Sequence, residues 1–257
     1  MEAVRSVPFR VLVMPLWRRM RPFASSFTRK LTSCTASGQK FRNIWFIFQN
    51  FTNTHASLEV IKERYEQAIN EPGVVGINIG TRPDCLPDDV IDYLAELTER
   101  MHVTVELGLQ TTYEETSELI NRAHSYDLYV ETVKRVRERA PKAEIVSHLI
   151  NGLPGETHEM MVENVRRCVT DNDIQGIKLH LLHLMTNTRM QRDYHEGRLK
   201  LLSQEEYVSI ICDQLEMPKQ TTSSKRGITE MVSPGKETGK QMAQESQETE
   251  QHTSLRR

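Results

Sequence analysis

The chain has 257 residues, of which 38% are hydrophobic, and a formal net charge of −2. This length fits one large domain or one domain with tails, and the near-zero charge gives no reason to expect a nucleic-acid groove that is basic across the whole molecule. No stretch approaches the roughly 18 apolar residues that a membrane-spanning helix needs, so the sequence predicts no membrane partner.

Composition divides the chain into three zones. Residues 1–43 hold nine Lys/Arg and a single acid, and we expect this basic segment to be either disordered or a targeting signal. Residues 44–216 alternate strand-like and helix-like segments and form the predicted domain. Residues 217–257 are rich in Lys, Glu, Gln, Ser and Thr, and they hold too few apolar side chains to offset the entropy of ordering, which predicts a disordered polar tail.

Within the middle zone, strands and helices alternate along the chain. The predicted strands are Ile44–Phe51, Val74–Gly80, His102–Leu109, Glu144–Asn151 and Gly176–His183. Segments with apolar side chains at helical spacing lie between them. This alternation predicts an α/β protein with a parallel sheet, which is either an open doubly wound sheet or a full or partial (β/α) barrel.

The pattern of side chains within the strands favours the barrel. Successive side chains of a strand point to opposite faces, and the third strand places Glu106, Gly108 and Gln110 on one face with apolar residues on the other. Lys178 and His180 share one face of the last strand in the same way. Strands of an open parallel sheet are covered on both faces and should be continuously apolar. We therefore predict a barrel with a polar, ligand-lined lumen.

In such a barrel the functional site lies at the carboxyl ends of the strands. The loops there are rich in glycines, amides and hydroxyls, which suit a polar ligand close to the backbone but are also ordinary turn residues. Backbone amides of Gly152–Glu156, ahead of a predicted helix, could hold an anion, although Glu156 could also simply complement the helix dipole. A weaker hypothesis pairs Glu106 with Glu156 as the two carboxylates of a hydrolase.

The residue types that bind metals show no chelating pattern. The four cysteines, Cys34, Cys85, Cys168 and Cys212, are isolated from one another, and none has the spacing of a metal knuckle. Isolated cysteines indicate a reduced, intracellular protein rather than a disulfide framework. Cys168 and Cys212 lie in apolar helical stripes, so we predict that both are small core residues.

Five motifs of the middle zone resemble those of radical S-adenosylmethionine (radical SAM) proteins. The similarity is to a bacterial family related to the catalytic subunit of Elongator, and it runs from about Ile44 to Glu216. The motifs are Phe48–Thr54, Gly80–Asp84, Val105–Gln110, Ile120–His124 and His148–Glu156.

This resemblance implies a fold, a cofactor and a reaction. The fold is a partial (β/α)6 TIM-like barrel. In the superfamily a [4Fe-4S] cluster binds S-adenosylmethionine, a reductant protein supplies one electron, and the 5′-deoxyadenosyl radical that forms abstracts hydrogen from a substrate. Elongator-like relatives modify tRNA uridines, so the resemblance implies a cytoplasmic tRNA-modifying enzyme.

The resemblance also implies which residues contact the cofactor. Asn53 and Thr54 would lie near its methionine end, Glu106 and Gln110 would contact the ribose and the carboxylate, and the segment 151–156 would support the adenine. The cofactor-binding residues predicted in this way are Asn53, Thr54, Arg82, Glu106, Gln110, Asn151, Gly152, Gly155, Glu156, Lys178 and His180.

The chain departs from the family at its defining motif, a loop with three cysteines ahead of Ile44. Only Cys34 lies in that region, which makes it the one candidate metal ligand and puts the cluster in doubt, since each of three thiolates should ligate one iron. We expect both this loop and the first barrel strand to be lacking, with Val11–Met14 a poor substitute. The edge of Ile44–Phe51 would then be unpaired.

Two explanations of residues 1–43 stay open. The segment is either the product of truncation, alternative exon joining or a faulty gene model, or an Arg-rich transit peptide that directs the protein to the mitochondrion. These explanations lead to two functional hypotheses. The first is a radical SAM enzyme of tRNA modification, which is inactive if the cluster is missing. The second is a non-catalytic module that binds a ligand or RNA on the same barrel.

Overall fold

The computed structural model describes residues 10–14, 44–49 and 52–221. They form one parallel sheet whose six strands follow each other in chain order. The strands are β1 (Arg10–Met14), β2 (Ile44–Phe48), β3 (Val74–Thr81), β4 (His102–Gln110), β5 (Glu144–Asn151) and β6 (Gly176–Leu181). The helices are α1 (Leu58–Ile69), α2 (Asp88–Thr98), α3 (Glu114–Leu119), α4 (Tyr126–Arg139), α5 (His158–Asp171), α6 (Arg189–His195) and α7 (Gln204–Thr221).

The sheet curls into a half-barrel, which confirms the predicted partial barrel. Its concave face, which we term the lumen, carries the polar side chains that the alternation pattern had placed together. These are Asn78, Glu106, His148, Lys178 and His180.

The structure differs from the expectation at the first edge of the sheet. The edge of β2 is not left unpaired, because β1 pairs with it in parallel along its whole length, from Arg10 beside Ile44 to Met14 beside Phe48. Apolar residues at four of the five positions of β1 suit a strand in this place. The expectation that the barrel lacks its first strand is therefore corrected.

The opposite face of the sheet carries the hydrophobic core. Ile79 of β3 and Val105 of β4 are fully buried there, as are Tyr65 of α1 and Leu94 of α2, which lie in the apolar stripes of their helices. Burying a large apolar side chain stabilises a fold by about 1.5–3 kcal/mol. Packing on this face therefore stabilises the sheet, so the side chains of the lumen on the opposite face can be polar.

The two cysteines that were predicted to be core residues have different environments. Cys168 of α5 is fully buried, and burial raises the pKa of its thiol to about 12. Cys212 of α7 is exposed, so that prediction is wrong. The buried positions of this part of α7 are Ile210, Ile211 and Gln214, which turns the side chain of Cys212 outward. Within the described residues, no helix is both long enough and apolar enough to cross a membrane.

Candidate functional site in the lumen

Glu106 is the centre of the lumen. Its side chain is fully buried, and both carboxylate oxygens have partners. Oε1 accepts hydrogen bonds from Nζ of Lys178 at 2.6 Å and from Nδ2 of Asn78 at 2.9 Å. Oε2 lies 3.1 Å from Nε2 of His148, and this nitrogen carries the proton because a carboxylate can only accept. Side chains from three strands, β3, β5 and β6, thus converge on one carboxylate of β4.

The charge of Glu106 is stable. Burial alone would raise the pKa of this carboxyl, but the hydrogen bond from His148 and the positive charge of Lys178 outweigh burial and lower the pKa to about 2. Glu106 is therefore ionised near neutral pH and forms a buried ion pair with Lys178, whose side chain is 6% exposed. The two charges balance each other inside the lumen.

Two polar atoms of the lumen are buried without a hydrogen-bond partner in the described structure, namely Oδ1 of Asn78 and Nε2 of His180. The ring centroid of His180 lies 5.1 Å from that of His148. Burial, together with the neighbouring His148 and Lys178, lowers the pKa of His180 to about 4, so its imidazole is neutral near pH 7. Leaving such an atom without a partner costs about 1–3 kcal/mol, which makes both atoms candidates for contact with a ligand.

Two glycines keep side chains out of the lumen beside Glu106. Gly80 is the register partner of Glu106, and a Cβ at Gly80 would lie 3.0 Å from the carbonyl oxygen of Phe48. A Cβ at Gly108 would lie 2.8 Å from the side-chain amide of Gln110. Both distances are tighter than ordinary van der Waals contact, so a side chain at either position would require its neighbour to shift, and glycine lets the backbone and the amide approach closely.

Asn53 and Thr54 tie the end of β2 to the end of β3. Nδ2 of Asn53 donates to the carbonyl oxygens of Phe48 at 2.8 Å and Gly80 at 2.7 Å, while its Oδ1 is buried and has no partner in the part of the chain that the structure describes. The hydroxyl of Thr54 lies 2.5 Å from that of Thr81. Asn53 thus presents a third unpartnered acceptor, and the hydroxyl of Thr54 is engaged within the protein.

Gln110 ends β4 with a backbone φ of 64°, in the left-handed region. Its amide forms hydrogen bonds when the nitrogen faces the carbonyl oxygens of Gly108 and Leu109, at 3.3 and 3.1 Å. The amide oxygen then lies on the other side, over the lumen face of Gly108. Gln110 is therefore a candidate acceptor at the mouth of the lumen.

The loop after β5 is packed against α7 rather than against the lumen cluster. The side-chain amide of Asn151 exchanges two hydrogen bonds with Gln214, at 2.8 and 2.9 Å. Gly152 and Gly155 have positive φ values of 88° and 83°, which glycine adopts without strain. A Cβ at Gly152 would lie 3.2 Å from Leu202, whereas Gly155 has open space around it.

Glu156 has its own set of partners. It accepts hydrogen bonds from the hydroxyl of Thr111 and, at 3.1 Å, from Nδ2 of Asn164. Burial raises the pKa of Glu156, although these hydrogen bonds oppose the rise. Glu156 and Glu106 share no hydrogen-bonding residue, so these contacts give the hydrolase hypothesis no support.

Arg82 lies outside the lumen cluster, and two members of that cluster were missing from the predicted site. The side chain of Arg82 is 44% exposed and pairs with Asp84. Asn78 and His148 were not predicted as site residues, although Asn78 has the strand parity of Gly80 and His148 stands beside Lys178 in the sheet register. Strand parity could have identified both, since it placed the other members of the cluster.

Comparisons with known proteins identify the family of the chain. Residues 36–168 match the family model of the radical SAM superfamily, and residues 174–248 match that of the radical SAM C-terminal domain. The chain belongs to the radical SAM superfamily.

The chain is similar to several known proteins and to a solved structure. It is 55% identical over 170 residues to the protein YtqA of Bacillus subtilis, which covers 66% of this chain and 52% of YtqA. It is 27% identical over 150 residues to the tRNA uridine(34) acetyltransferase of Methanocaldococcus infernus, covering 56% of this chain and 27% of the relative. The structure of Elp3 from the same archaeon has a TM-score of 0.65 and 17% identity, covering 87% of this chain and 55% of that one, and it supports the fold. The chain spans about half the length of the first of these relatives.

The radical SAM cluster does not fit the described residues. No group of three His, Cys, Asp or Glu side chains in 44–49 and 52–216 could hold a metal ion. Cys85 and Cys168 are buried on separate elements, Cys212 is exposed, and Cys34 lies outside the described residues. The donor set of a [4Fe-4S] cluster, three clustered thiolates, is therefore absent from this part of the chain.

The adenosyl part of the family's cofactor fits the described residues better. Its hydroxyl and amino groups need hydrogen-bond acceptors, and the lumen and its mouth offer buried ones without partners, on Asn53 and Asn78. The carbonyl oxygen of Phe48 and the side-chain amide of Gln110 fill the space above Gly80 and Gly108, so glycine at these positions brings polar groups of the protein towards the lumen.

Proposed function

We propose that this chain binds S-adenosylmethionine in its lumen and is the cofactor-binding barrel of a radical SAM protein that modifies tRNA. The observation that carries the proposal is a set of three buried atoms without a hydrogen-bond partner among the described residues, Oδ1 of Asn53, Oδ1 of Asn78 and Nε2 of His180. These atoms lie at or near the lumen of a barrel whose family uses this cofactor. The relative named as a tRNA uridine(34) acetyltransferase supports tRNA as the substrate class.

In this proposal Glu106 supports the site and its neighbours contact the ligand. The carboxylate already accepts three hydrogen bonds and is shielded from solvent. Its role is to hold Asn78, His148 and Lys178 in fixed positions, because each donates to it. The remaining N–H groups of Lys178 and the free atoms of Asn78 and His180 would then meet the ligand.

A second candidate is a non-catalytic binding module on the same barrel. It is favoured by the lack of clustered metal ligands among the described residues. Both candidates bind the adenosyl ligand, but only the first needs an iron–sulfur cluster and a reductant protein.

The binding proposal is tested with S-adenosylhomocysteine, which needs no cluster to be measured by titration calorimetry. We expect the full chain to bind it, and His180→Leu to weaken the affinity by about tenfold, the cost of one hydrogen bond of about 1.4 kcal/mol. The matched control is His158→Leu, because His158 pairs with Asp213 on the outer helices, 2.6 Å away, and its loss should not change the affinity. Absence of binding by the unaltered chain would refute the proposal.

The two candidates are separated by anaerobic reconstitution with iron and sulfide. About four irons per chain and 5′-deoxyadenosine on reduction would establish the enzyme. An iron content near zero, with S-adenosylhomocysteine binding retained, would establish the binding module. Retention of unfractionated tRNA on the immobilised chain then tests the substrate class.

A further inference from the structure

The motif Ile120–His124, which resembles the family but contains no predicted site residue, folds back onto the end of β4. There Gln110 holds a φ of 64°, and the register of β4 against β5 shifts between Gly108 and Gln110. A left-handed conformation is unfavourable for a residue with a side chain, and such strain persists only where the surroundings enforce it. The residues that contact Gln110 should therefore be the ones that enforce its left-handed conformation.

The side chains of Arg122 and His124 form hydrogen bonds to the backbone on both sides of Gln110. Nη1 of Arg122 donates to the carbonyl oxygen of Leu109 at 2.6 Å and to that of Thr111, and its Nε donates to the carbonyl oxygen of His124 at 2.8 Å. Nε2 of His124 lies 3.0 Å from the carbonyl oxygen of Gly108 and donates to it. Three carbonyl groups at the end of β4 are thus fixed by two side chains.

Both side chains are buried, which strengthens their hydrogen bonds to the backbone. The side chain of Arg122 is 4% exposed, and burial lowers the pKa of its guanidinium. Burial and the nearby charge of Arg122 lower the pKa of His124, so its ring is neutral near pH 7. A buried guanidinium is costly without partners, and Nε and Nη1 of Arg122 have found carbonyl groups. Nη2 has no hydrogen-bond partner among the described residues and lies 3.7 Å from a carboxylate oxygen of Glu114. The segment reaches them through a turn at Asn121, which has a φ of 56°.

We propose that Arg122 and His124 are positioning residues that hold Gln110 in its left-handed conformation, so that its amide oxygen faces the lumen and accepts a hydrogen bond from the adenosyl ligand. This inference rests on the proposed function for the identity of the ligand. The hydrogen bonds from Arg122 and His124 to this backbone, which we term the clamp, are independent of the ligand, because all of them lie within the protein.

The clamp is tested first by stability, without any ligand. Gln110→Gly removes the left-handed penalty, so we expect the midpoint of thermal unfolding to rise by about 2–4 °C. In an Arg122→Lys background the same change should raise the midpoint by less than about 1 °C, because a loosened clamp no longer enforces the strain. An equal rise in both backgrounds would overturn the role of Arg122. Arg122→Lys is chosen because it keeps the buried charge and one donor, and the chain should still fold.

The second test is the affinity for S-adenosylhomocysteine. Gln110→Gly should weaken binding by about tenfold even though it stabilises the fold, which is an opposition that a purely structural residue would not produce. Arg122→Lys and His124→Gln should weaken binding by a smaller factor, and adding either to Gln110→Gly should cause no further loss. Additive losses, or unchanged affinity in Gln110→Gly, would overturn the proposal.

Arg137 provides a matched control. It is also a largely buried arginine with a pKa lowered by burial, and it donates to the carbonyl oxygens of Ala143 and Asp173, both at 2.9 Å, at the other end of β5. Arg137→Lys should lower the unfolding midpoint without changing the gain from Gln110→Gly or the affinity. If the unaltered chain binds no S-adenosylhomocysteine, the proposed function and the ligand contact of Gln110 both fail. The stability cycle still decides whether the clamp exists.

Discussion

The ammonium group of Lys178 on β6 lies 2.6 Å from Oε1 of Glu106 on β4, so this ion pair crosses over β5. It links two strands that share no backbone hydrogen bonds, from the concave side of the sheet. The pair therefore stabilises the curvature of the half-barrel as well as the polar lumen.

Removing one partner of this pair should destabilise the protein strongly. We expect Lys178→Met to lower the free energy of unfolding by about 3–5 kcal/mol, measured by urea denaturation, because it leaves the charge of Glu106 buried and unbalanced. The double variant Lys178→Met/Glu106→Gln should recover most of this loss, since neither charge is then present.

An exposed lysine serves as the control for that experiment. Lys142 pairs with Glu99 at 2.7 Å, but both side chains are more than half exposed. Lys142→Met should change the free energy of unfolding by less than about 1 kcal/mol. A similar effect of Lys142→Met and Lys178→Met would contradict the importance of burial.

The pH dependence of stability should carry the signature of His180. Its pKa is about 4 in the folded protein against a usual 6.5, so between these values the unfolded chain binds the proton more readily. Stability should therefore fall as the pH drops from about 6.5 to 4. The curve of His180→Leu should be flatter in this window, with His124 contributing part of what is left because its pKa is also lowered. Identical slopes for both proteins would show that His180 is not buried as the structure has it.

The pH dependence of stability should also show the protonation of Glu106, at lower pH. Its pKa is lowered to about 2 from the usual 4.5, so the ionised carboxylate stabilises the fold above pH 4.5, and this contribution is lost as the pH falls towards 2. In Glu106→Gln that loss should be smaller. Denaturation curves collected between pH 5 and 2 on both proteins measure the difference.

The three described cysteines should react with a thiol reagent in a set order. Cys212 is exposed and should be modified in the native protein, whereas Cys168 is fully buried with a pKa raised to about 12 and should react only after unfolding. Cys85 is buried and should react slowly. Peptide mapping by mass spectrometry identifies the modified site, and early labelling of Cys168 would contradict the packing of α5.

Alanine substitutions at the two lumen glycines should have different effects. Gly80→Ala places a methyl group 3.0 Å from the carbonyl oxygen of Phe48, and because backbone cannot move aside easily, we expect a loss of about 1–3 kcal/mol in stability. In Gly108→Ala the new methyl group lies 2.8 Å from the side-chain amide of Gln110, and this flexible amide can rotate away. We expect little change in its stability but weaker binding of S-adenosylhomocysteine. The reverse order of effects would contradict the proposed place of Gln110.

Strand parity predicted much of the site, because a side chain's face depends only on its position in its own strand. Glu106, Lys178 and His180 were placed on one polar face in this way, and the structure brings them together. Parity cannot assign partners, however. Asn151 pairs with Gln214, 63 positions further along the chain, and the sequence holds no local sign of that contact.

By itself, the sequence determined the parallel sheet, its helices and the polar face of the lumen, because these follow from local periodicity and chain order. Only the tertiary structure decided that β1 covers the edge of β2, that Cys212 points outward, and that Arg122 and His124 fix the end of β4. Contacts of this kind depend on sheet register, curvature and helix packing, which join segments far apart in sequence. The same packing sets the pKa of Glu106, since burial would raise it and two side chains from other strands lower it.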